Sequence, residues 1–394
     1  NTPDADYETT PNTLPNDEQW QKIAADFKKA YDLLPATQAQ KGRATKAAAA
    51  AYLAKTYLYK AYRQSENNSV TGINSQDLQE VLTYTSVVLG STYGLEEDFA
   101  FNFLPGGYEN GKESLFAVQY SVDDGTQYGS LNWGDQLSTP QKLGCCDFHK
   151  PSQNLVNAFK TVNGLPDFDN FNNNDYNAAN DKADPRLFHT VALPGFLYKY
   201  NTELIYKNDW NRNSNVYGFY ASLKENVDPS CSCFRNINPF RANSKNRIVI
   251  RYADVLLMRA EALIELNRSN EALPLINQVR QRAKQSTSMI PYATNANIAL
   301  YQDGVNITWN QENARKALRW ERRLEFAMEG SRFFDLVRWG IADQVLNDYF
   351  TKEKTRRPAI FSSAYFTKNK NEYIPIPQNQ IGYVKGIYKQ NTGF

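Results

Sequence analysis

The sequence predicts a mainly α protein, a tetratricopeptide-like helical-repeat scaffold that carries a large irregular loop-rich insertion containing short strands. Three observations point there. Apolar residues recur at three- and four-residue steps near both ends of the 394-residue chain. Between them, from Gly90 to Asn246, Gly, Asn, Asp, Pro and Tyr dominate and helical periodicity fades. Finally, Ala260 and Ala272 lie twelve apart and are followed by Ile276 and Val279, the small and apolar spacing of a packed helix pair.

The elements follow in order. Asn1 to Asn16 is rich in Pro, Thr and Asn and reads as an extended arm. Trp20, Ile23, Ala24, Phe27, Tyr31 and Leu34 make one face of a first helix, which Pro35 stops. Thr45 caps a second helix running to about Arg63, whose Ala47, Ala50, Ala54, Leu58 and Ala61 permit close helix approach. A third, from Ser75 to about Leu89, carries Leu78, Leu82, Thr85 and Leu89. In the middle, Ser114 to Tyr120 reads as a strand, and Leu155, Val156 and Phe159 mark one short helix. Helices return from Tyr252 to Leu266 and from Asn270 to Ala283. A second, degenerate pair covers Asn313 to Met328 and Arg332 to about Leu346, with Gly330 at the turn. The Pro- and Gly-containing tail from Tyr373 should wrap over the repeats. One domain thus divides into repeat helices over 17–90, a loop-rich ligand-binding region over 91–247, repeat helices over 248–346 and a tail over 347–394.

Composition narrows the function. Lys plus Arg number 44 against 42 Asp plus Glu, a net charge of +2, which argues against nucleic-acid binding. No apolar run is long enough to span a bilayer. His149 and His189 are the only histidines, so metal and imidazole chemistry have little raw material. The chain starts at Asn1 without Met or a signal-peptide pattern and reads as processed or truncated. Aromatics make up 13% of residues, with 25 Tyr and 6 Trp in a chain of mean hydropathy −0.62, which favours a stacking ligand such as a sugar. Four cysteines form two tight pairs, Cys145-Cys146 and Cys231-Ser-Cys233. Bridges between the pairs, a bridge within a pair, and free or metal-bound thiols all remain open, the first suiting an oxidising compartment.

Several charged motifs invite a catalytic reading and support a plainer one. Glu321, Arg322, Arg323, Glu325, Arg332, Asp335 and Arg338 lie on the last repeat helices, as do Arg251, Asp254, Arg259 and Glu261 on the earlier pair. Such charges are expected to form buried or inter-helix ion pairs. Asp184, ahead of Pro185, should turn or cap the chain. The run Asp167, Asp169, Asn170, Asn172, Asn173, Asn174 and Asp175 is rich in oxygen, but lacks the Gly and closing Glu of a calcium loop and reads as solvated. A glycosidase needs two carboxylates flanking one bond, and no spacing singles out such a pair. Nor is there a nucleophile elbow. His149 reads as a loop hydrogen bonder. We assign no catalytic, metal or cofactor residue.

The candidate ligand residues lie on the irregular middle. Trp133 sits in Tyr128-Gly-Ser-Leu-Asn-Trp-Gly134, and Trp210 in Tyr206-Lys-Asn-Asp-Trp-Asn-Arg212. A pyranose has an apolar CH face and a hydroxyl rim, so an indole can stack on the face while Asn211 or Arg212 bonds the rim. Trp133, Trp210, Tyr128, Tyr206, Asn211 and Arg212 are therefore the expected ligand contacts. The alternative is that either indole anchors its loop on the core.

Longer phrases carry a resemblance. Arg251-Tyr-Ala-Asp-Val-Leu-Leu-Met-Arg-Ala-Glu-Ala262, Asn277-Gln-Val-Arg-Gln-Arg-Ala283 and Glu321-Arg-Arg-Leu-Glu-Phe-Ala-Met-Glu-Gly-Ser-Arg-Phe-Phe-Asp-Leu-Val-Arg-Trp-Gly340 resemble the SusD/RagB family. So do Gly42-Arg-Ala-Thr-Lys-Ala47, Glu113-Ser-Leu-Phe116, Pro151 to Phe159, Asp184-Pro-Arg-Leu187 and Gln390-Asn-Thr-Gly-Phe394, in the family's order along nearly the whole chain. The resemblance implies a glycan-binding lipoprotein of a Gram-negative outer membrane, lying as a lid on a TonB-dependent SusC-like transporter and breaking no bond. It implies a lipoprotein signal, an acylated Cys and the first repeat helices upstream of Asn1, so the only membrane attachment is a lipid outside this chain. A peptide-binding relative, a glycoside hydrolase and a protein-gripping scaffold are the alternatives.

Overall fold

The computed structural model describes residues 11–394 apart from 145, 239 and 385. The first ten residues of the expected arm lie outside this range. Asn12, within it, donates from Nδ2 to the Lys389 carbonyl at 2.9 Å, so arm meets tail.

Helix α1 spans Asn16–Leu33 and α2 spans Lys46–Ala61. The Thr45 hydroxyl caps α2, accepting from the Ala48 amide at 3.3 Å. Helix α3, Ser75–Leu89, is capped likewise by Asn74 on the Asp77 amide. The alanine face of α2 is buried, which lets α1 and α3 pack closely on it. Strand β1, Ser114–Val118, and the short helix α4, Gln153–Ala158, follow. A hairpin of β2, Phe234–Ile237, and β3, Phe240–Asn243, leads to β4, Arg247–Arg251, which pairs antiparallel with β1. Helices α5, Tyr252–Glu265, and α6, Ser269–Gln285, form one packed pair. Helix α7, Gln311–Glu325, packs on α5 and precedes α8, Arg332–Arg338, and α9, Ala342–Arg356.

The protein is thus mainly α, with short strands concentrated in the middle of the chain. Leu53, Leu58 and Val81 from the first helices share a buried core with Leu256, Leu263, Ile276, Leu318 and Trp339 from the last. The two ends of the chain therefore stabilise one another through apolar burial. A second buried cluster, including Val156, Phe159, Leu187 and Leu324, ties the irregular middle to α7.

Two expectations are corrected. The helix expected from Arg332 to about Leu346 is two helices, because Gly340 adopts φ +68, outside helical geometry, and breaks the helical chain between them. A Cβ at Gly340 would also press on Val70 at 3.2 Å. The bridge between cysteine pairs does not form. Cys231 is bonded to Cys233, and Cys146 is also disulfide-bonded, while Cys145 lies outside the described residues. The Cys231–Cys233 bond closes over one residue and shapes a turn, where a bridge between the pairs would have stapled distant loops.

Candidate functional site

Most of the motif charges are structural. Arg186 grips Asp184 through Nε and Nη2 at 2.9 and 2.7 Å, and its Nη1 donates to Glu321 at 2.6 Å and Glu325 at 2.9 Å. Arg251 donates to Glu113 at 2.5 Å and Glu325 at 2.8 Å, and Arg282 to Glu113 at 2.6 Å and also to Glu325. Burial alone would raise the Glu325 carboxyl, but Arg282, Arg251 and Arg186 hold it well below the usual carboxylate range. Arg322 bridges Asp254 and Asp335, and Arg338 bridges Glu261 and Asp335. This lattice binds α5, α6 and α7 to the middle of the chain. Three arginines depart from the expected pairing. Arg259 donates instead to the Leu82 carbonyl and to the Thr85 and Ser86 hydroxyls, and neither Arg323 nor Arg332 meets a carboxylate among the described residues.

Asp184 turns the chain as expected, accepting from the Arg186 amide at 3.0 Å. In the Asn- and Asp-rich run, Asn172 and Asp175 accept from Asn157 at 2.9 and 3.0 Å, and Asp175 also pairs with Arg356. No group of His, Cys, Asp and Glu suited to a metal occurs among the described residues. His149 is bound to the Glu225 carboxylate at 2.8 Å, and this bond raises its pKa despite partial burial.

The six expected ligand residues separate into two environments. Trp210 is only 7% exposed, wedged between Tyr198 and Tyr206 with ring centroids 5.4 and 5.3 Å away. Tyr206 is fully buried, and its hydroxyl donates to Asn211 Oδ1 at 2.7 Å. Lys150 donates to the same oxygen at 2.5 Å. Arg212 stacks on Phe148 at 4.5 Å, with its amide held by Asp147 at 2.6 Å. Trp210, Tyr206 and Asn211 therefore anchor their loop on a small aromatic core and are not available to a ligand at the surface. The reason is that Asp147 and Lys150, from a loop about sixty residues upstream, fold over this segment and bond to it.

Trp133 and Tyr128 are exposed, by 40% and 51%. Trp133 stands at the start of a short turn, and the backbone beneath it is fixed. Asn132 donates from its amide to the Asn243 carbonyl at 2.7 Å, and its side chain accepts from the Asp135 amide at 3.2 Å. Asp135 in turn lies against Asn243, Lys245 and Arg247 at 3.4 to 3.6 Å. The indole meets Phe240, at the start of β3, edge-on with centroids 6.4 Å apart. Phe240 is itself 49% exposed. Two half-exposed rings on an anchored backbone make an aromatic corner, with Arg235, Asn236 and Arg241 on the same hairpin. Phe240 was missed in the sequence, although the run Phe234 to Ile237 followed by Asn-Pro and Phe240 to Asn243 is a hairpin pattern that sets a ring beside the turn.

The model of the SusD family matches residues 112–394, well over half of the sequence. The chain belongs to the SusD family. It is 26% identical to SusD-like protein P2 of Formosa agariphila over 96% of its own length and 66% of that protein, so it spans just under two thirds of this curated relative. A SusD-like carbohydrate-binding protein from Bacteroides fragilis NCTC 9343 shares the fold with a TM-score of 0.70 and 24% identity, over 98% of this chain and 73% of that one. A laminarin-binding SusD-like protein superposes with a TM-score of 0.56 and 23% identity, over 95% and 68%.

Proposed function

We propose that this SusD-family chain is a cell-surface glycan-binding protein that captures oligosaccharide or polysaccharide for a TonB-dependent SusC-like transporter and breaks no bond. The observation that carries the reading is the aromatic corner of Trp133 and Phe240, with exposed Tyr128 on the neighbouring loop. Exposed indole and phenyl faces stack on the apolar faces of sugar rings, and the surrounding Asn and Arg side chains suit the hydroxyl rim. Family relatives named for carbohydrate and laminarin binding support the same ligand class. Asp135, close to the corner, sits among Lys245, Arg247 and Asn243, whereas a glycosidase acid needs an apolar pocket.

Among the described residues no helix is long and apolar enough to cross a membrane. Attachment to the outer membrane would come through a lipid outside this chain, as the family implies. The test is a glycan array followed by calorimetric titration of the best neutral ligand with wild type and Trp133→Ala. Loss of roughly 1–3 kcal/mol of binding with an unchanged melting temperature is the expected result. Unaltered binding would remove the corner from the site, and release of shorter sugars on incubation would make the protein an enzyme.

A further inference from the structure

Arg323 and Arg332 are two cations of the last repeat helices that meet no carboxylate among the described residues. Arg322 and Arg338 share Asp335 between them, at 2.9 and 2.8 Å. That leaves Arg332, one turn before Asp335, competing for oxygens that two other guanidiniums already hold. Arg332 makes no hydrogen bond to any described residue, and its Nη1 is shielded from solvent without a partner. Arg323 donates from Nη2 to Asn154 Oδ1 at 2.5 Å and stacks on Phe171 and Trp320, but its Nε and Nη1 have no acceptor among the described residues. Arg319, also without a carboxylate among the described residues, shares the Trp339 ring with Arg332, at 5.1 and 5.9 Å, but does not line the cleft that Arg323 and Arg332 share.

Arg323 and Arg332 both line one cleft of about 420 Å³ between α4, α7, α8 and α9. No Asp or Glu among the described residues lines it. Lys150 and His149 stand on its wall as well, each already tied to an acid, Asp147 and Glu225. Burial and the charge of Arg332 pull Arg323 well below its ordinary pKa, and burial brings Arg332 down to about 10 against the opposing charge of Asp335, which Arg322 and Arg338 already hold. Both guanidiniums are partly buried, and a charge drawn partly out of water without a partner is costly unless a ligand supplies the opposite charge. Tyr349 and the exposed Phe333 ring line the same cleft and offer a face for a sugar ring.

We propose that this cleft binds the oxyanion of an acidic sugar, a uronate carboxylate or a sulfate ester, on Arg323 and Arg332. The sugar as carrier rests on the glycan-binding reading above. The oxyanion rests on the arginines alone. Guanidinium forks match the planar oxygen pairs of carboxylate and the oxygens of sulfate, and such charge-assisted bonds are strong in a partly desolvated cleft.

The test is calorimetric titration with two matched pairs of probes: trigalacturonate and its methyl ester, and a sulfated carrageenan tetrasaccharide and its desulfated form. The acidic member of at least one pair should bind about tenfold or more tightly than its neutral partner, and the pair that does so identifies the anion. The preference should weaken with added salt and vanish in Arg323→Gln and Arg332→Gln. If Arg332→Gln does not fold, Arg323→Gln and the salt series on wild type still decide. Equal affinity within both pairs, no binding of either acidic probe, or a preference surviving in Arg323→Gln would overturn the inference. Binding of neutral sugar that depends on Trp133, without acid preference, would overturn it and leave the proposed function standing. Binding of an acidic peptide such as tetraglutamate, with no sugar bound at all, would overturn both.

Discussion

Arg186 and Glu325 lie 139 positions apart, yet Arg186 Nη1 donates to Glu325 Oε2 at 2.9 Å in the fully buried interior. The contact joins the Asp184-Pro-Arg-Leu turn of the irregular middle to the end of α7. Removing the arginine leaves Asp184 without an ion-pair partner among the described residues, while Glu321 and Glu325 keep Arg280, Arg251 and Arg282. Arg186→Met should therefore lower stability by about 3–5 kcal/mol, read by urea unfolding. Adding Asp184→Asn should restore part of the loss. If the single variant is as stable as wild type, the pair does not hold the middle to the repeats.

Lys199 gives a pH signature. It is buried, and among the described residues only the Phe103 and Leu223 carbonyls accept from it, at 3.2 and 2.8 Å. Burial, with the charge of Lys245 adding to it, brings its pKa from 10.5 down to about 7. The folded state thus disfavours the charged form. The penalty is complete below about pH 7 and is relieved as pH rises towards the unfolded value near 10.5. Lys199→Met should be more stable than wild type at pH 6, by on the order of 1–3 kcal/mol, less whatever the two carbonyls lose. The gap should close near pH 10. Denaturant curves at both pH values check this, and a gap independent of pH would contradict it.

Ala260 is fully buried in α5, in the core that α3, α6 and α7 share. A leucine there forces packed helices apart, so Ala260→Leu should cost roughly 1–3 kcal/mol. A melting temperature unchanged within error would show spare volume at this position.

Trp210 and Phe240 should separate anchoring from binding. Trp210 is packed between Tyr198 and Tyr206, so Trp210→Ala should destabilise by about 3–5 kcal/mol, as loss of a core aromatic does. Phe240 is half-exposed beside Trp133, so Phe240→Ala should leave the melting temperature nearly unchanged and weaken glycan binding. The opposite pattern would exchange the roles of the two loops.

The sequence by itself determined the helical scaffold and the family. Apolar spacing, the Thr45 cap and the turn at Gly330 are local properties, readable within one or two helical turns, and they foretold α1, α2, α3, α5 and α6 to within a few residues. The long phrases around Arg251 and Glu321 carried the family for the same reason, since each is contiguous. The site was less legible. Trp133 and Trp210 sit in similar polar loops, and only the tertiary structure decided that one is exposed and the other enclosed. Exposure depends on what arrives from elsewhere in the chain: the loop of Asp147 and Lys150 folds over Trp210, whereas Phe240 comes beside Trp133 and leaves it open. Ion pairing was decided in the same way. Arg322 and Arg323 are neighbours in sequence, but they meet different surroundings, one Asp254 and Asp335 and the other a cleft lined by no carboxylate among the described residues. A helix turns about 100° per residue, so adjacent side chains meet different partners, and only the packing of the other helices says which.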